Sequence, residues 1–175
     1  METIQKTNVL DSVLLSRPIA TSLKTLFELY RPECNKYLAK GGYIAPNSSK
    51  PLQLADIRIG IDPSTRNLNV FPSILITVSG IRIEWYASKI TKEDVSVKIF
   101  CCVANPVNEQ SELLMYDLTD FCRAILISHQ VLPFYLEEDD VNGNPYGHLH
   151  APAVATPDIS YGNIMANYVK AGQIT

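Results

Sequence analysis

The stretch DVSVKIFCCVANPVNEQSELLMYDLTDFCRAIL, residues 94–126, decides the fold class that this sequence predicts. Its first part alternates apolar and polar residues up to Val103, which is typical of a strand with one buried face. Its second part repeats apolar residues at the spacing of an amphipathic helix, over about residues 108–130. The connection has no glycine and no lysine, and two carboxylates follow it at the positive end of the helix dipole. We therefore interpret the junction as a capped turn and not as a phosphate site.

The predicted long helix carries charges that complement its dipole. Glu109 and Glu112 lie in its first turn, while Arg123 and His129 lie near its end. Asn108 can cap its start. Its apolar face is predicted to comprise Leu113, Leu114, Leu118, Phe121, Cys122, Ile125 and Leu126. With a rise of about 1.5 Å per residue, the helix is about 30 Å long and can cross a whole sheet.

Three alternating segments predict a β-meander, and they read FPSILITVSG, IRIEWYA and DVSVKIFCCVA. The parity of the apolar positions changes across Ser79 and Gly80, which indicates a tight turn or a bulge there and not one continuous strand. Cys101 and Cys102 fall on opposite faces of the third segment. We interpret them as small apolar core residues of a protein from a reducing compartment.

A second amphipathic helix is predicted near the N-terminus. Ser16 can cap it, and Pro18 lies in its first turn, where the missing N–H costs nothing. Its apolar stripe is predicted to comprise Ile19, Leu23, Leu26, Phe27 and Tyr30. Pro32 is expected to end or kink this helix.

Together these elements predict an α+β fold, in which a mostly antiparallel meander is covered by the long helix and the N-terminal helix. We expect a single domain over residues 1–175, with its core at about 16–135. Gly, Pro, Ser and Asn mark extended loops at 39–53 and 137–158, and a short strand, ADIRIGI, follows the first loop. Residues 159–175 are predicted to add a final strand or arm, with little to hold its end unless it reaches a neighbour.

The composition argues against two classes of partner. Apolar residues make up 46% of the chain and charged residues 19%, which is typical of a globular domain. The net charge is −3 and no Lys/Arg cluster stands out, so we do not expect nucleic-acid binding. No run approaches 18 apolar residues, so we expect no membrane span. The start, METIQKTNVLDSVLL, lacks the apolar centre of a signal peptide.

Two charged segments are candidate contact surfaces for a protein partner. One is a predicted hairpin tip, where the aromatic Tyr86 lies beside Lys89 and Lys92. The other is the acidic run EEDD, which comprises Glu137, Glu138, Asp139 and Asp140. The alternative for both is an ordinary solvated surface turn. The acidic run has no regular spacing of oxygen ligands that would favour a hard cation.

The motif GHLH is the best metal candidate in the sequence. His148 and His150 would point to one side of an extended strand and could share a zinc ion, with Asp139, Asp140 or Asp158 completing the set. The alternative is a solvated loop, and no third ligand on a rigid element is evident. There is no G-x-S-x-G motif, and thiols in strand or helix cores are inert. We therefore predict no catalytic residue, no bound metal and no cofactor.

Residues 70–130 resemble the tail-terminator (tail-completion) proteins of tailed bacteriophages, and more broadly the small ring-forming proteins of the phage neck and tail. The segments that carry the resemblance are FPSILITVSGIRIEWYA and VSVKIFCCVANPVNEQSELLMYDLTDFCRAIL. In that family a strand led by proline precedes an alternating strand, which runs through a short acidic turn into a long helix.

The resemblance implies a structural virion protein and no enzyme. Such a protein is assembled in the host cytoplasm into a ring, a hexamer in that family. The ring terminates the tail tube and joins it to the head-side connector, so its partners are copies of itself, the tail tube and neck connector proteins. Two alternatives stay open: a small metal-dependent hydrolase that uses His148 and His150, and another virion adaptor, connector or binding module.

A ring also suits the predicted architecture. A sheet covered on one face leaves strand edges, which a ring protein can pair or cover against the next subunit. The segments 1–15, 39–53 and 141–158 are costly to order alone and are suited to wrapping a neighbour.

Overall fold

A computed structural model describes residues 16–60, 70–87, 90–104, 109–134, 147–150, 159–164 and 169–174 of the chain. The helices of this part are α1 (Ser16–Leu29), α2 (Arg31–Lys40) and α3 (Glu109–Ser128). Its strands are β1 (Asp56–Ile59), β2 (Ser73–Ala87), β3 (Ile90–Ala104), β4 (Val131–Phe134), β5 (Gly147–His150), β6 (Ile159–Ile164) and β7 (Val169–Ile174).

The main sheet has five strands in the order β1-β2-β3-β7-β6. β1 pairs with β2 in parallel, and every other neighbouring pair is antiparallel. A separate two-stranded sheet joins β4 and β5. The α+β class and the mostly antiparallel sheet are confirmed. The strand order is not a simple meander, because β7, from the end of the chain, occupies the place beside β3.

The prediction of separate strands on either side of Ser79 is wrong, and the bulge alternative is right. β2 is one strand, whose register with β3 shifts between Val78 and Gly80. Because Val78 lies opposite Val97 and Ile81 lies opposite Val95, the extra residue keeps the apolar positions on both sides of the bulge on one face without ending the ladder. The hydroxyl of Ser79 donates to the carbonyl oxygen of Ser96, 3.1 Å away, which ties the bulge to the neighbouring strand.

The N-terminal helix is confirmed, and a second helix follows it that the sequence analysis did not predict. α1 ends at Leu29, the chain turns at Tyr30, and α2 begins at Arg31. Pro32 therefore lies in the first turn of α2, where a missing N–H removes no helical bond. Pro32 thus lies just after the end of α1 and within the first turn of α2.

The core lies mainly between the three helices and one face of the main sheet. Cys34, Cys101 and Cys122 belong to this cluster, whereas Cys102 belongs to a smaller cluster on the opposite face with Leu75, Phe100 and Ala171. The predicted opposite facing of the two adjacent cysteines is confirmed. All four cysteines are buried and free.

The buried face of α3 differs in part from the prediction. Leu118, Cys122 and Ile125 are buried, whereas Leu113 is 48% exposed. The full set of buried residues is Ser111, Met115, Leu118, Thr119, Cys122 and Ile125. The difference arises because α3 packs closely on β7, so that Thr119 faces the sheet and Leu113 is turned away from it.

The end of the chain is held by the chain's own sheet. β6 and β7 form a hairpin, and β7 pairs with β3 through Ile99↔Ile174. Ile174 is only 2% exposed. The expectation of a loose end is therefore wrong, because the chain returns to fill a central position of the sheet.

Candidate functional site

The hairpin of β2 and β3 extends beyond the rest of the main sheet. β2 and β3 pair along their whole length, up to Ala87↔Ile90. β1 pairs with β2 only as far as Ile76, and β7 pairs with β3 only from Ile99 onward. Within the described ranges, residues 79–96 are therefore a two-stranded ribbon, which we call the ribbon. An isolated two-stranded hairpin is marginally stable in water.

The ribbon contains the predicted hairpin tip. Tyr86 lies near the end of β2 and Lys92 near the start of β3, while Lys89 lies outside the described residues. The register places Arg82 opposite Asp94 and Glu84 opposite Lys92. Positions directly opposite in an antiparallel pair are close neighbours, so each charge has an opposite charge across the ribbon.

A second exposed surface lies on α3 and was not predicted. Its members are Leu113, Tyr116 and Ile127, which are 48%, 39% and 48% exposed. Their spacing places them on one stripe of the helix, on the side away from the core. Tyr161 of β6 lies beside Tyr116, with its ring edge-on to that of Tyr116 at 4.8 Å between centroids. We call these four residues the outer α3 surface.

The sequence does contain a signal for this surface. Leu113, Tyr116 and Ile127 add apolar residues to a side of α3 that also carries charges such as Asp120, so the apolar residues of this helix exceed those that one packing face needs. The signal was missed because Leu113 was placed in the buried set.

The loop after α2 is fixed to α3 by a carboxylate that joins two tyrosines. The hydroxyl of Tyr43 donates to Asp117 Oδ2 at 2.5 Å, and that of Tyr37 donates to Asp117 Oδ1 at 3.4 Å. Burial and the bond to Asp117 raise the pKa of both tyrosine hydroxyls above their ordinary value. The two hydroxyls therefore stay protonated donors, and through Asp117 they fix the loop after α2 to α3.

A shallow cavity of about 250 Å³ opens beside Tyr43. It is lined by Tyr43, Ile44, Pro46, Leu52, Phe71, Pro72, Ala104, Gln110, Ser111 and Leu114. None of these residues supplies a carboxylate, an imidazole or a thiol. The titratable side chain of the lining is that of Tyr43, whose hydroxyl already donates to Asp117.

The thiols are not poised as nucleophiles. Burial raises the pKa of Cys34 and of Cys102 to about 12, and it raises the pKa of Cys122 well above its ordinary value. A thiolate is the reactive form of cysteine, so these three thiols are protonated and unreactive at neutral pH.

His129 holds the end of α3 in place. Its Nδ1 lies 3.0 Å from the carbonyl oxygen of Ile125, and its Nε2 lies 3.3 Å from the hydroxyl of Tyr30. Both contacts are satisfied if Nδ1 carries the proton and Nε2 accepts from the tyrosine. This histidine therefore joins α3 to the turn between α1 and α2.

The structure places the predicted metal candidates only in part. His148 and His150 lie on β5, opposite Pro133 and Val131 of β4, so the expected extended strand is present. Asp158 and the acidic residues Glu137, Glu138, Asp139 and Asp140 lie outside the described residues. Among the residues that the structure describes, no group of three or more His, Cys, Asp or Glu could hold a metal ion.

No helix in the described ranges is long and apolar enough to cross a membrane. No protein-family model matches the sequence, and no curated protein matches it.

Proposed function

We propose that this chain is a structural virion protein of a tailed phage, which forms a ring that terminates the tail tube and joins it to the head-side connector. The ring is a hexamer, as in the family that residues 70–130 resemble. Its partners are copies of itself, the tail tube and the neck connector proteins. Its role is assembly, without a catalytic step.

The outer α3 surface is the observation that supports this proposal best. Leu113, Tyr116 and Ile127 present apolar surface at helical spacing to solvent, on a helix whose other side is already packed on the sheet. Exposed apolar side chains on a helix that is already packed on its other side are suited to a contact with another protein, and the exposed Asp120 between them supplies a charge to that surface. In a ring, each copy covers this surface with a different part of the next copy.

Light scattering and electron microscopy of the purified chain test the ring. We expect a particle of about six times 19.5 kDa, seen as a ring, and rings at the ends of tail tubes when these are added. The variant Leu113→Glu/Ile127→Glu places two carboxylates on the outer α3 surface and is expected to give the mass of a smaller species.

The matched control is Ile44→Glu, because Ile44 is 62% exposed on the loop after α2 and lies outside this surface. The control is expected to keep the wild-type mass. A 19.5 kDa particle that forms no ring at any concentration, alone or with tail tubes, would show that the proposal is wrong.

The metal-dependent hydrolase is the second candidate function, and the observation that favours it is the position of His148 and His150 on one short strand. Elemental analysis of the purified chain tests it. Zinc at one ion per chain, lost in a His148→Ala/His150→Ala variant, would favour the hydrolase over the ring.

A further inference from the structure

The outer edge of β2 is free along the ribbon in the described part of the chain. β1 covers this edge opposite Ser73–Ile76, and the described contacts continue to Gly60, whose N–H donates to the carbonyl oxygen of Ile76 and whose carbonyl oxygen accepts from the hydroxyl of Thr77. From Ser79 to Ala87 no described strand pairs with it. An unpaired strand edge is a template for pairing with another chain.

The sequence along this free edge is complementary to itself. It reads Ile81-Arg82-Ile83-Glu84-Trp85, with an arginine and a glutamate at equal distances on either side of Ile83. If two copies of the segment run antiparallel about Ile83, each Arg82 lies opposite the partner's Glu84. Each Ile81 lies opposite the partner's Trp85.

We propose that the free edge of β2 is a self-association site, at which β2 of a second copy of this chain pairs antiparallel about a two-fold axis at Ile83. The pairing joins two ribbons into one four-stranded sheet. Three or more strands with an apolar face are stable where a lone two-stranded hairpin is marginal. The contact is isologous, so both copies use the same residues.

The charges continue across all four strands of the joined sheet. Within one copy, Asp94 lies opposite Arg82 and Lys92 lies opposite Glu84. A row across the proposed sheet then runs from Asp94 to Arg82, to the partner's Glu84 and to the partner's Lys92. The signs alternate at every step, and the second row repeats the pattern by symmetry. Opposite charges in neighbouring cross-strand positions stabilise such a sheet.

The pairing also keeps the two faces of the ribbon distinct. Residues that lie opposite each other in an antiparallel pair share a face of the sheet. When the two-fold axis passes through Ile83, each odd-numbered residue of one copy lies opposite an odd-numbered residue of the other. Ile81, Ile83 and Trp85 of both copies therefore fall on one face of the four-stranded sheet. The charges of the two rows fall on the other, whereas Glu93, which lies opposite Ile83, shares the face of the apolar residues.

The length of the free edge matches this register. Ser79 would lie opposite the partner's Ala87, so the partner's strand ends just beyond the place where β1 stops pairing with β2. Register shifts in the pairing with β3 occur at Ser79 and Tyr86. They bound a regular segment, Gly80–Trp85, that contains the complementary positions.

The other free edge of the ribbon does not fit a second copy in this way. β3 presents Lys92, Glu93 and Asp94 in succession. A two-fold antiparallel pairing centred on any of these three residues places a charge opposite the same charge, which is destabilising. About Glu93, Lys92 would lie opposite the partner's Asp94, but the two Glu93 residues would lie opposite each other, so of the two edges β2 alone combines complementary charges with an uncharged centre.

A charge exchange tests the proposal while preserving the ribbon itself. In Arg82→Glu/Asp94→Arg, the pair within the ribbon keeps opposite signs and the net charge of the chain is unchanged. Between copies, however, the new glutamate at position 82 of each copy lies opposite Glu84 of the other copy. The reciprocal variant, Glu84→Arg/Lys92→Glu, places basic positions against basic positions. We expect each variant alone to raise the dissociation constant of the dimer at least about tenfold.

Mixing the two variants is the decisive measurement. In the mixed dimer every position at the contact again meets the opposite sign, so an equimolar mixture is expected to recover wild-type affinity in sedimentation equilibrium. The matched control is Glu33→Lys/Lys36→Glu, which exchanges two exposed charges on α2, away from the ribbon, and is expected to leave the affinity unchanged.

The inference does not rest on the proposed ring, because a two-fold contact and a rotational ring contact are different interfaces. A wild-type chain that never dimerises through β2, or variants that associate as wild type does, would overturn it. A ring that is insensitive to both exchanges overturns the β2 contact and leaves the ring standing. A dimer that obeys the exchanges and never forms a ring supports the contact and counts against the ring.

Discussion

Two small residues meet where α3 packs on β7. Thr119 is fully buried, and its hydroxyl donates to the carbonyl oxygen of Met115 at 2.7 Å. Gly172 of β7 faces it, and a Cβ at this glycine would overlap the threonine Oγ1 and lie 3.1 Å from its Cβ. The absence of a side chain at Gly172 therefore sets how near the helix can lie to the strand.

Substitution of Gly172 by alanine is expected to lower the free energy of unfolding by about 1–3 kcal/mol, because the added methyl group must push α3 away from β7. Denaturant unfolding measures the change. The matched control is Gly80→Ala, where no atom lies within 4 Å of the added Cβ, and its effect is expected to stay below about 1 kcal/mol.

A double variant makes this test specific. Removing the threonine hydroxyl and methyl in Thr119→Ala frees the space that the alanine needs. The cost of Gly172→Ala is then expected to be smaller in the Thr119→Ala background than in the wild type. An equal cost in both backgrounds would show that the contact is not the cause.

Among the elements, the loop between α2 and β1 depends most on contacts with its neighbours. Its backbone makes a short bridge between Ile44 and Pro51, and the N–H of Leu54 donates to the side chain of Asn35 at 2.7 Å. Tyr43 adds the bond to Asp117 of α3. The loop that the sequence analysis assigned to wrapping a neighbour is thus tied to its own subunit.

Loss of the Tyr43 hydroxyl is expected to loosen this loop. Tyr43→Phe should lower the free energy of unfolding by about 1 kcal/mol and speed proteolysis within residues 41–55, because a hydrogen bond to a charged acceptor is lost. Unfolding free energy and digestion rate measure the two effects. The matched control, Tyr37→Phe, removes a 3.4 Å bond from a more exposed side chain and should change both less.

Burial of Tyr43 and its bond to Asp117 also make the stability of the folded chain depend on pH in the alkaline range. The pKa of Tyr43 is raised in the folded chain, so above about pH 10 the unfolded chain loses this proton first. The contribution of Tyr43 to stability is therefore constant below that pH and falls above it. A difference between wild type and Tyr43→Phe that does not shrink above pH 10 would contradict the assignment.

At the scale of the whole molecule, the position of β7 links distant parts of the chain in one sheet. β7 lies between β3 and β6, so residues near the end of the chain pair with residues about seventy positions earlier. Ala171 and Ile174 are buried in this position. The main sheet is therefore complete only after the end of the chain has been placed, which makes the fold dependent on long-range contacts.

Truncation of a buried side chain in β7 is therefore expected to lower the free energy of unfolding as much as truncation of a side chain in the centre of a core. Ile174→Ala should lower the free energy of unfolding by about 2–5 kcal/mol. Ile59→Ala, on the edge strand β1 where the side chain is 43% exposed, should cost less than about 1.5 kcal/mol. Equal effects in denaturant unfolding would place the end of the chain outside the core.

The sequence by itself determined the features that local periodicity reports. The alternation up to Val103 and the helical spacing that follows it predicted β3 and α3, since burial on one face leaves a regular pattern in each element. The parity change at Ser79 indicated the bulge. Tyr86 and Lys92 were placed correctly near a hairpin end, because a hairpin needs only neighbouring segments.

The tertiary structure alone decided the features that depend on which distant segments meet. The face that α3 buries was decided by the approach of Gly172 to Thr119, and the position of the C-terminal strand was decided by its pairing with β3. Within the described residues, the lack of a strand beside Ser79–Ala87 of β2 becomes visible only once β1 is seen to pair with β2 up to Ile76. Periodicity records that a residue is buried, whereas partner, register and edge follow from contacts between residues far apart in the chain.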